Sequence, residues 1–162
     1  MAESSLRAVR SVRKGGLPNA VFVVAAAERP PAEFAGIAAE VTILFPWGSL
    51  LRGVLALDDA CDTAAGIACL ITPGGLVRVL LSIDPRDRLS VPVLEAADEA
   101  ALASRWARHG LTLTAFEPAQ PAEIHASRSS WARRLAAGGE RQVWRVELRR
   151  TDGSTGETGR TR

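Results

Sequence analysis

The sequence predicts an α/β fold: a doubly wound, mostly parallel sheet with an antiparallel strand at its edge. Three observations lead there. Short β-branched runs alternate with longer stretches of helical period. The turn Thr72-Pro73-Gly74-Gly75 runs directly into residues 76–83, which are almost continuously apolar apart from Arg78, the pattern of a strand buried on both faces. The last periodic segment, residues 141–149, alternates Val143, Arg145 and Glu147 against Trp144, Val146 and Leu148, as an amphipathic strand does.

The elements follow in order. Residues 20–25 are Val-rich and come after the turn chemistry of Gly15-Gly16-Leu17-Pro18-Asn19, so they read as the first strand. Residues 40–45 read as the second. A helix is expected over 58–70, capped by Asp58 or Asp59 and stopped by the Pro-Gly-Gly turn. After the strand at 76–83 comes an acidic loop, 84–92, then a helix over 98–109 stopped by Gly110, and a strand over 111–117. Pro121 opens a helix through Ser129 or beyond. Residues 1–19 form a basic leader with Arg7, Arg10 and Lys14 spaced for one helix face, and 151–162, rich in Gly, Ser and Thr, read as a disordered tail.

Composition bounds the function. At 162 residues, with 47% apolar and 23% charged residues, the chain has the make-up of one globular domain, which excludes collagen, coiled coil and wholesale disorder. A net charge of +2 excludes binding of polyanions by bulk charge alone. The distribution says more: residues 128–162 hold nine Arg against four carboxylates, whereas 53–127 hold five Arg against ten, so an anionic partner should meet the C-terminal part. Cys61 and Cys69 lack metal-site spacing and read as small core residues on one helix face. His109 and His125 are solitary, and Asp84, Asp87 and Asp98 have no metal-ligand spacing, so no metal is expected. No apolar run approaches the roughly 18 residues of a membrane span. The basic residues before residues 20–27 imitate a signal peptide only shallowly, and a cytoplasmic protein is expected.

Five stretches carry a resemblance. Residues 67–75, Ile-Ala-Cys-Leu-Ile-Thr-Pro-Gly-Gly before a hydrophobic strand, resemble a passage of class I S-adenosylmethionine-dependent methyltransferases. Ala26-Ala27-Glu28-Arg29-Pro30-Pro31 resembles the segment after the third strand of those enzymes. Phe45-Pro46-Trp47-Gly48-Ser49-Leu50-Leu51-Arg52-Gly53 resembles the motif after the fourth, which grips the methylated base. Together with residues 14–19 and with Ser129-Ser130-Trp131-Ala132-Arg133-Arg134-Leu135, the set is similar to the 16S ribosomal RNA adenine-N1 methyltransferases of kanamycin and apramycin resistance. The family's glycine-rich motif after the first strand has no counterpart here, nor has the acidic residue after the second. The chain therefore resembles the C-terminal two-thirds of such an enzyme: a Rossmann-like sheet without its first two strands, over residues 20–150, and half of the cofactor pocket. On that reading residues 20–25 are orphaned or forced against 40–45.

The resemblance implies S-adenosylmethionine as cofactor and the small ribosomal subunit as partner of a monomeric enzyme. It implies Trp47 and Trp131 as the two faces that stack a flipped adenine, and Ala27, Glu28 and Ser49 as the cofactor side. Ser130 would hold the base, and Arg134, Arg141, Arg13 and Lys14, with Arg128 and Arg133 around them, would contact RNA phosphates. From the residues alone Ser49 also reads as a helix cap, Glu28 as a surface carboxylate and the Arg run as a solvated face. Trp47 lies between Pro46 and Gly48 at a strand's carboxyl end, where ligands bind in open α/β sheets, while Trp106 and Trp144 read as packing. A second function class stays open: a cofactor-less remnant or RNA-binding module.

Overall fold

Four strands form one sheet in the order β1-β2-β4-β3 in the computed structural model, which describes residues 12–14, 16–87, 89–135 and 141–151. They are β1 (Ala38–Leu44), β2 (Ile71–Leu81), β3 (Leu111–Pro118) and β4 (Trp144–Arg150). β1 runs parallel to β2, with Val41 opposite Val77 and Ile43 opposite Val79, and β4 runs antiparallel to both β2 and β3. The reversed strand expected at the edge thus sits one position in, and β3 takes the edge. Helices α1 (Gly48–Val54), α2 (Cys61–Leu70) and α3 (Glu99–Ala107) supply one core with β2 and β4, built from Leu51, Val54, Ala64, Ile67, Leu102 and Trp106 over Val77, Val79, Leu81, Val146 and Leu148. The short helices α4 (Pro121–Ala126) and α5 (Ser130–Arg134) give a second, smaller cluster in which Ile124 and Ala132 meet Phe45, Leu80 and Val143.

Local chemistry explains these boundaries. A reciprocal capping box between Gln120 and Glu123, with Pro121 in the first turn, starts α4. Gly110, at φ +72°, lets the chain leave α3 and enter β3. Trp106 is fully buried and its indole N–H donates to the Val54 carbonyl at 3.0 Å, tying α3 to the end of α1. Trp144 stacks on Phe116 with centroids 4.5 Å apart, so both of these tryptophans are packing residues.

Several expectations are corrected. Residues 20–25 form no strand: they have no ladder partner, and Val21 and Val24 are 84% exposed. A Val-rich run has strand propensity only where a neighbouring edge and a packed face receive it, and here neither does. The Pro-Gly-Gly turn does not separate helix from strand, because β2 begins directly after Leu70. The parallel register jumps from Ala38–Ile71 to Glu40–Leu76, so residues 72–75 bulge from the ladder. A Cβ on Gly75 would stand 3.0 Å from the Ala39 carbonyl oxygen. The single helix expected after Pro121 breaks at Ala126 and resumes at Ser130, and α1, which the reading of Ser49 as a helix cap implies, has Trp47 at its cap position with Ser49 inside the helix.

Cys61 and Cys69 are exposed, since Ala60, Ala64, Ile67 and Ala68 occupy the inward stripe of their helix. β2 is covered along its whole length on one face and on the other only at Leu80, which lies under α4 and α5. On this second face, Arg78 bridges Glu40 and Glu147, and Arg145 meets Glu117, Glu123 and Glu147, a charged ladder beside α4. The leader and tail fall mostly on residues 1–11 and 152–162, outside the described residues.

Candidate active site

The motif after β1 turns the chain sharply at the strand's carboxyl end. Phe45 adopts φ +50°, a left-handed conformation that costs a non-glycine residue energy. Its buried ring and an N–H donated to the Leu80 carbonyl at 2.7 Å hold it there. Trp47 follows in extended backbone as the residue capping α1, and Gly48, at φ +58°, starts the helix. The result is an indole 52% exposed on a buried base of Phe45 and Pro46.

Trp131 arrives from the other direction. Arg128, at φ +49°, turns the chain between α4 and α5, and Ser129 caps α5 by accepting the Ala132 N–H at 3.4 Å. Trp131, in the first turn of α5, is also 52% exposed. It meets Trp47 around one cavity of about 90 Å³ lined by Phe45, Pro46, Trp47, Ser82, Trp131 and Leu135. The Arg134 guanidinium lies 5.5 Å from the Trp131 ring centroid, within cation–π range. Two indoles 84 residues apart in sequence therefore share a half-open apolar cleft at the strand ends.

The cofactor-side candidates gather beside the amino end of α2. The Glu28 carboxylate accepts the Thr63 hydroxyl at 3.0 Å and also a bond from the Ser49 hydroxyl. A backbone N–H, then the Ser49 and Thr63 hydroxyls, hold Glu28 below the usual carboxylate range. Their contribution to folding is present above the ordinary carboxylate pKa and is lost as acid brings the pH through the depressed one. Glu28, Ser49 and Thr63 line a cavity of about 270 Å³ with Arg52 and Asp58–Asp62. A carboxylate acceptor flanked by hydroxyls suits the amine and hydroxyl edge of a nucleoside. By this donor set the residues present fit one end of S-adenosylmethionine, although the volume lies just under the ~300 Å³ at which small-molecule pockets begin.

Ala27 is half-buried against α2 at Gly66. A Cβ on Gly66 would collide with the Ala27 carbonyl oxygen and stand 3.0 Å from its carbon. Gly66→Ala is expected to push the segment bearing Glu28 off the helix and lower affinity for S-adenosylmethionine. The gain of up to about 1 kcal/mol in helix propensity limits the loss of stability. Calorimetry beside a thermal melt separates the two effects, and unchanged cofactor affinity would contradict this role for Gly66.

The expected RNA-facing residues divide. Ser130, Arg133 and Arg134 on α5 and Arg128 before it are exposed on the wall that carries Trp131. Arg13 and Lys14 are exposed in a short 3-10 turn, Val12–Lys14. Arg141 is 9% exposed and is bound to Asp87 and Ser82, so it stands inside the protein where an open phosphate contact was expected. Thr63, Gly66, Ser82 and Asp87 were missed as site residues. Only Gly66, a glycine inside a helical stretch, left a sequence signal. Among the described residues no group of three or more His, Cys, Asp or Glu is placed to hold a metal, and no helix is long and apolar enough to cross a membrane.

Comparison with known proteins places relatives beside this geometry. The family model described as "NpmA: 16S rRNA (adenine(1408)-N(1))-methyltransferase" matches residues 1–150. A 16S rRNA (adenine(1408)-N(1))-methyltransferase of Streptoalloteichus tenebrarius is 37% identical over 150 residues, covering 87% of this chain and 66% of the relative. An rRNA methyltransferase of Saccharopolyspora hirsuta is 38% identical over 138 residues, covering 81% of this chain and 86% of that one. A solved 16S rRNA (adenine(1408)-N(1))-methyltransferase from Catenulisporales acidiphilia, a tryptophan-to-alanine mutant with its cosubstrate SAM, superposes with a TM-score of 0.80 at 30% identity, over 95% of this chain and 71% of that structure. The chain thus spans just under two-thirds of the length of the Streptoalloteichus tenebrarius relative.

Proposed function

Because the chain belongs to the family of 16S rRNA (adenine(1408)-N(1))-methyltransferases, we propose that it serves methyl transfer from S-adenosylmethionine to N1 of an adenine in the small ribosomal subunit, as a cytoplasmic monomer without a metal, and so protects its host from aminoglycosides. The observation that carries the reading is the shared cleft of Trp47 and Trp131, two half-exposed indoles at the carboxyl ends of the strands. Extruding a base from its stack costs a few kcal/mol, and two aromatic faces restore the stacking. The adenine N1 lone pair is itself the nucleophile, so the protein's contribution is alignment, and no catalytic carboxylate is needed. When bound, the cofactor supplies an electrophilic methyl group, and Glu28, Ser49 and the Ala27 backbone are the residues that would hold its nucleoside end.

Methylation at N1 puts positive charge on the purine. A face-on indole then favours the product-like transition state over the neutral base by ~1 kcal/mol. Arg134, with Arg133, Arg128, Arg13 and Lys14, supplies the charge that meets rRNA phosphates, and Ser130 stands beside Trp131 to receive the base. The test is transfer of labelled methyl from S-adenosylmethionine to 16S rRNA in assembled small subunits, with the modified base located by arrest of reverse transcription. Label elsewhere, or none together with no binding of subunits, would sink the proposal. A second reading, an RNA-binding module that holds the base without the cofactor, is favoured by the small 270 Å³ cavity. It predicts subunit binding without calorimetric binding of S-adenosylmethionine.

One charge prediction follows. Arg134→Gln should weaken subunit binding most at low salt and reduce the slope of log affinity against log salt by about 1. An unchanged slope would mean that Arg134 serves only Trp131.

A further inference from the structure

Arg141 stands ten residues beyond Trp131, where the chain re-enters the sheet. Its Nε donates to Ser82 Oγ at 3.1 Å, and its two terminal nitrogens donate to the two carboxylate oxygens of Asp87, one of them at 3.2 Å. This is the paired fork geometry of a strong charge-assisted contact, and the side chains are only 9% and 12% exposed. Ser82 in turn donates to the Gln142 carbonyl at 2.6 Å, so residues 141–142 are fastened at two points to the segment that follows β2. The same Ser82 lines the cavity between Trp47 and Trp131.

We propose that Asp87 is a positioning residue for the two-tryptophan cleft: by clasping Arg141 beside Ser82, it fixes the far end of the segment that carries Trp131 against the strand ends that carry Trp47. The near end is already tied, since the Ala119 N–H donates to the Val143 carbonyl at 2.9 Å. With the clasp open, Trp131 is held to the strand ends only by the packing of Ala132 against Phe45 and Leu80 and by the Ser82–Gln142 bond, and the distance between the indoles is set less firmly. This inference rests on the reading of the cleft as the seat of a flipped base. It also makes a prediction opposite in sign to simple electrostatics. Removing a carboxylate near a polyanion's footprint should tighten RNA binding by charge alone, whereas loss of the clasp should weaken capture of the base.

The test uses the 162-residue chain labelled with 5-fluorotryptophan, its four fluorine resonances assigned by single Trp→Phe replacements. In Asp87→Asn the Trp131 and Trp47 signals should shift and broaden while Trp106, in the other core, stays in place. Binding to purified small ribosomal subunits should weaken by about tenfold, and Asp87→Glu should restore both readouts. An unmoved Trp131 signal, or tighter subunit binding by Asp87→Asn, would overturn the proposal. If the unsubstituted chain binds no subunits, the reading of function fails, and the fluorine spectra still decide on the clasp. Should Asp87→Asn lose the folded Trp106 signal, Ser82→Ala takes its place: a displaced Trp131 signal supports the proposal and an unmoved one overturns it.

Discussion

Replacing Trp131 by alanine is expected to lower methyl transfer to small subunits by between about fivefold and a hundredfold, with little change in affinity for S-adenosylmethionine. The range follows from the ~1–3 kcal/mol that one base–aromatic stack contributes and from the tenfold change in rate per ~1.4 kcal/mol. The two effects should separate because Trp131 lines the cavity shared with Trp47, whereas Glu28, Ser49 and Thr63 line a different one. Single-turnover rates on subunits, measured beside calorimetry with the cofactor, would show the split. Loss of cofactor binding with the rate per bound complex intact would place Trp131 on the wrong side of the reaction. Stability should hardly move, since the ring is half exposed.

Trp106→Ala should do the reverse, destabilising the chain by about 3–5 kcal/mol. Its side chain is fully buried at the junction of α1 and α3. Truncation leaves a large cavity and strands the Val54 carbonyl, which the indole N–H satisfies at 3.0 Å. For a chain of this size each kcal/mol moves the melting temperature by about 2–4 °C, so a fall of roughly 6–20 °C is expected. Urea and thermal melts check it, with Trp47→Ala as the exposed control. A Trp106→Ala protein that melted like the unsubstituted chain would mean that α3 does not depend on this contact.

The contrast between Trp106 and Trp47 shows how far the sequence could be read. Trp106 lies within a helical period, where an aromatic residue turns inward. Trp47 is framed by Pro46 and Gly48 after a β-branched run, and the strand at 40–45 was read to within two residues of β1. Alternation likewise found the buried face of β4, Trp144, Val146 and Leu148. Reading failed wherever a pattern needed a partner that lay elsewhere in the chain. The run at 20–25 has the composition of a strand and no ladder to join. The cysteines of α2 have the size of core residues and lie off the inward stripe. Arg141 has the charge of an RNA contact, yet a carboxylate 54 residues earlier folds against it.

What the sequence determined by itself was therefore local and chemical: the α/β alternation, the helix start at Pro121 and the stop at Gly110, the motif Phe45-Pro46-Trp47-Gly48 and the basic run around Trp131, each written in adjacent side chains and short-range sterics. The tertiary structure alone decided that two distant indoles share one cleft, that Glu28 meets Thr63, and that Asp87 withdraws Arg141 from the surface. These depend on strand order and on close approaches such as that of Gly66 to Ala27. Such approaches arise only when packing brings remote backbone together, and no periodicity records them.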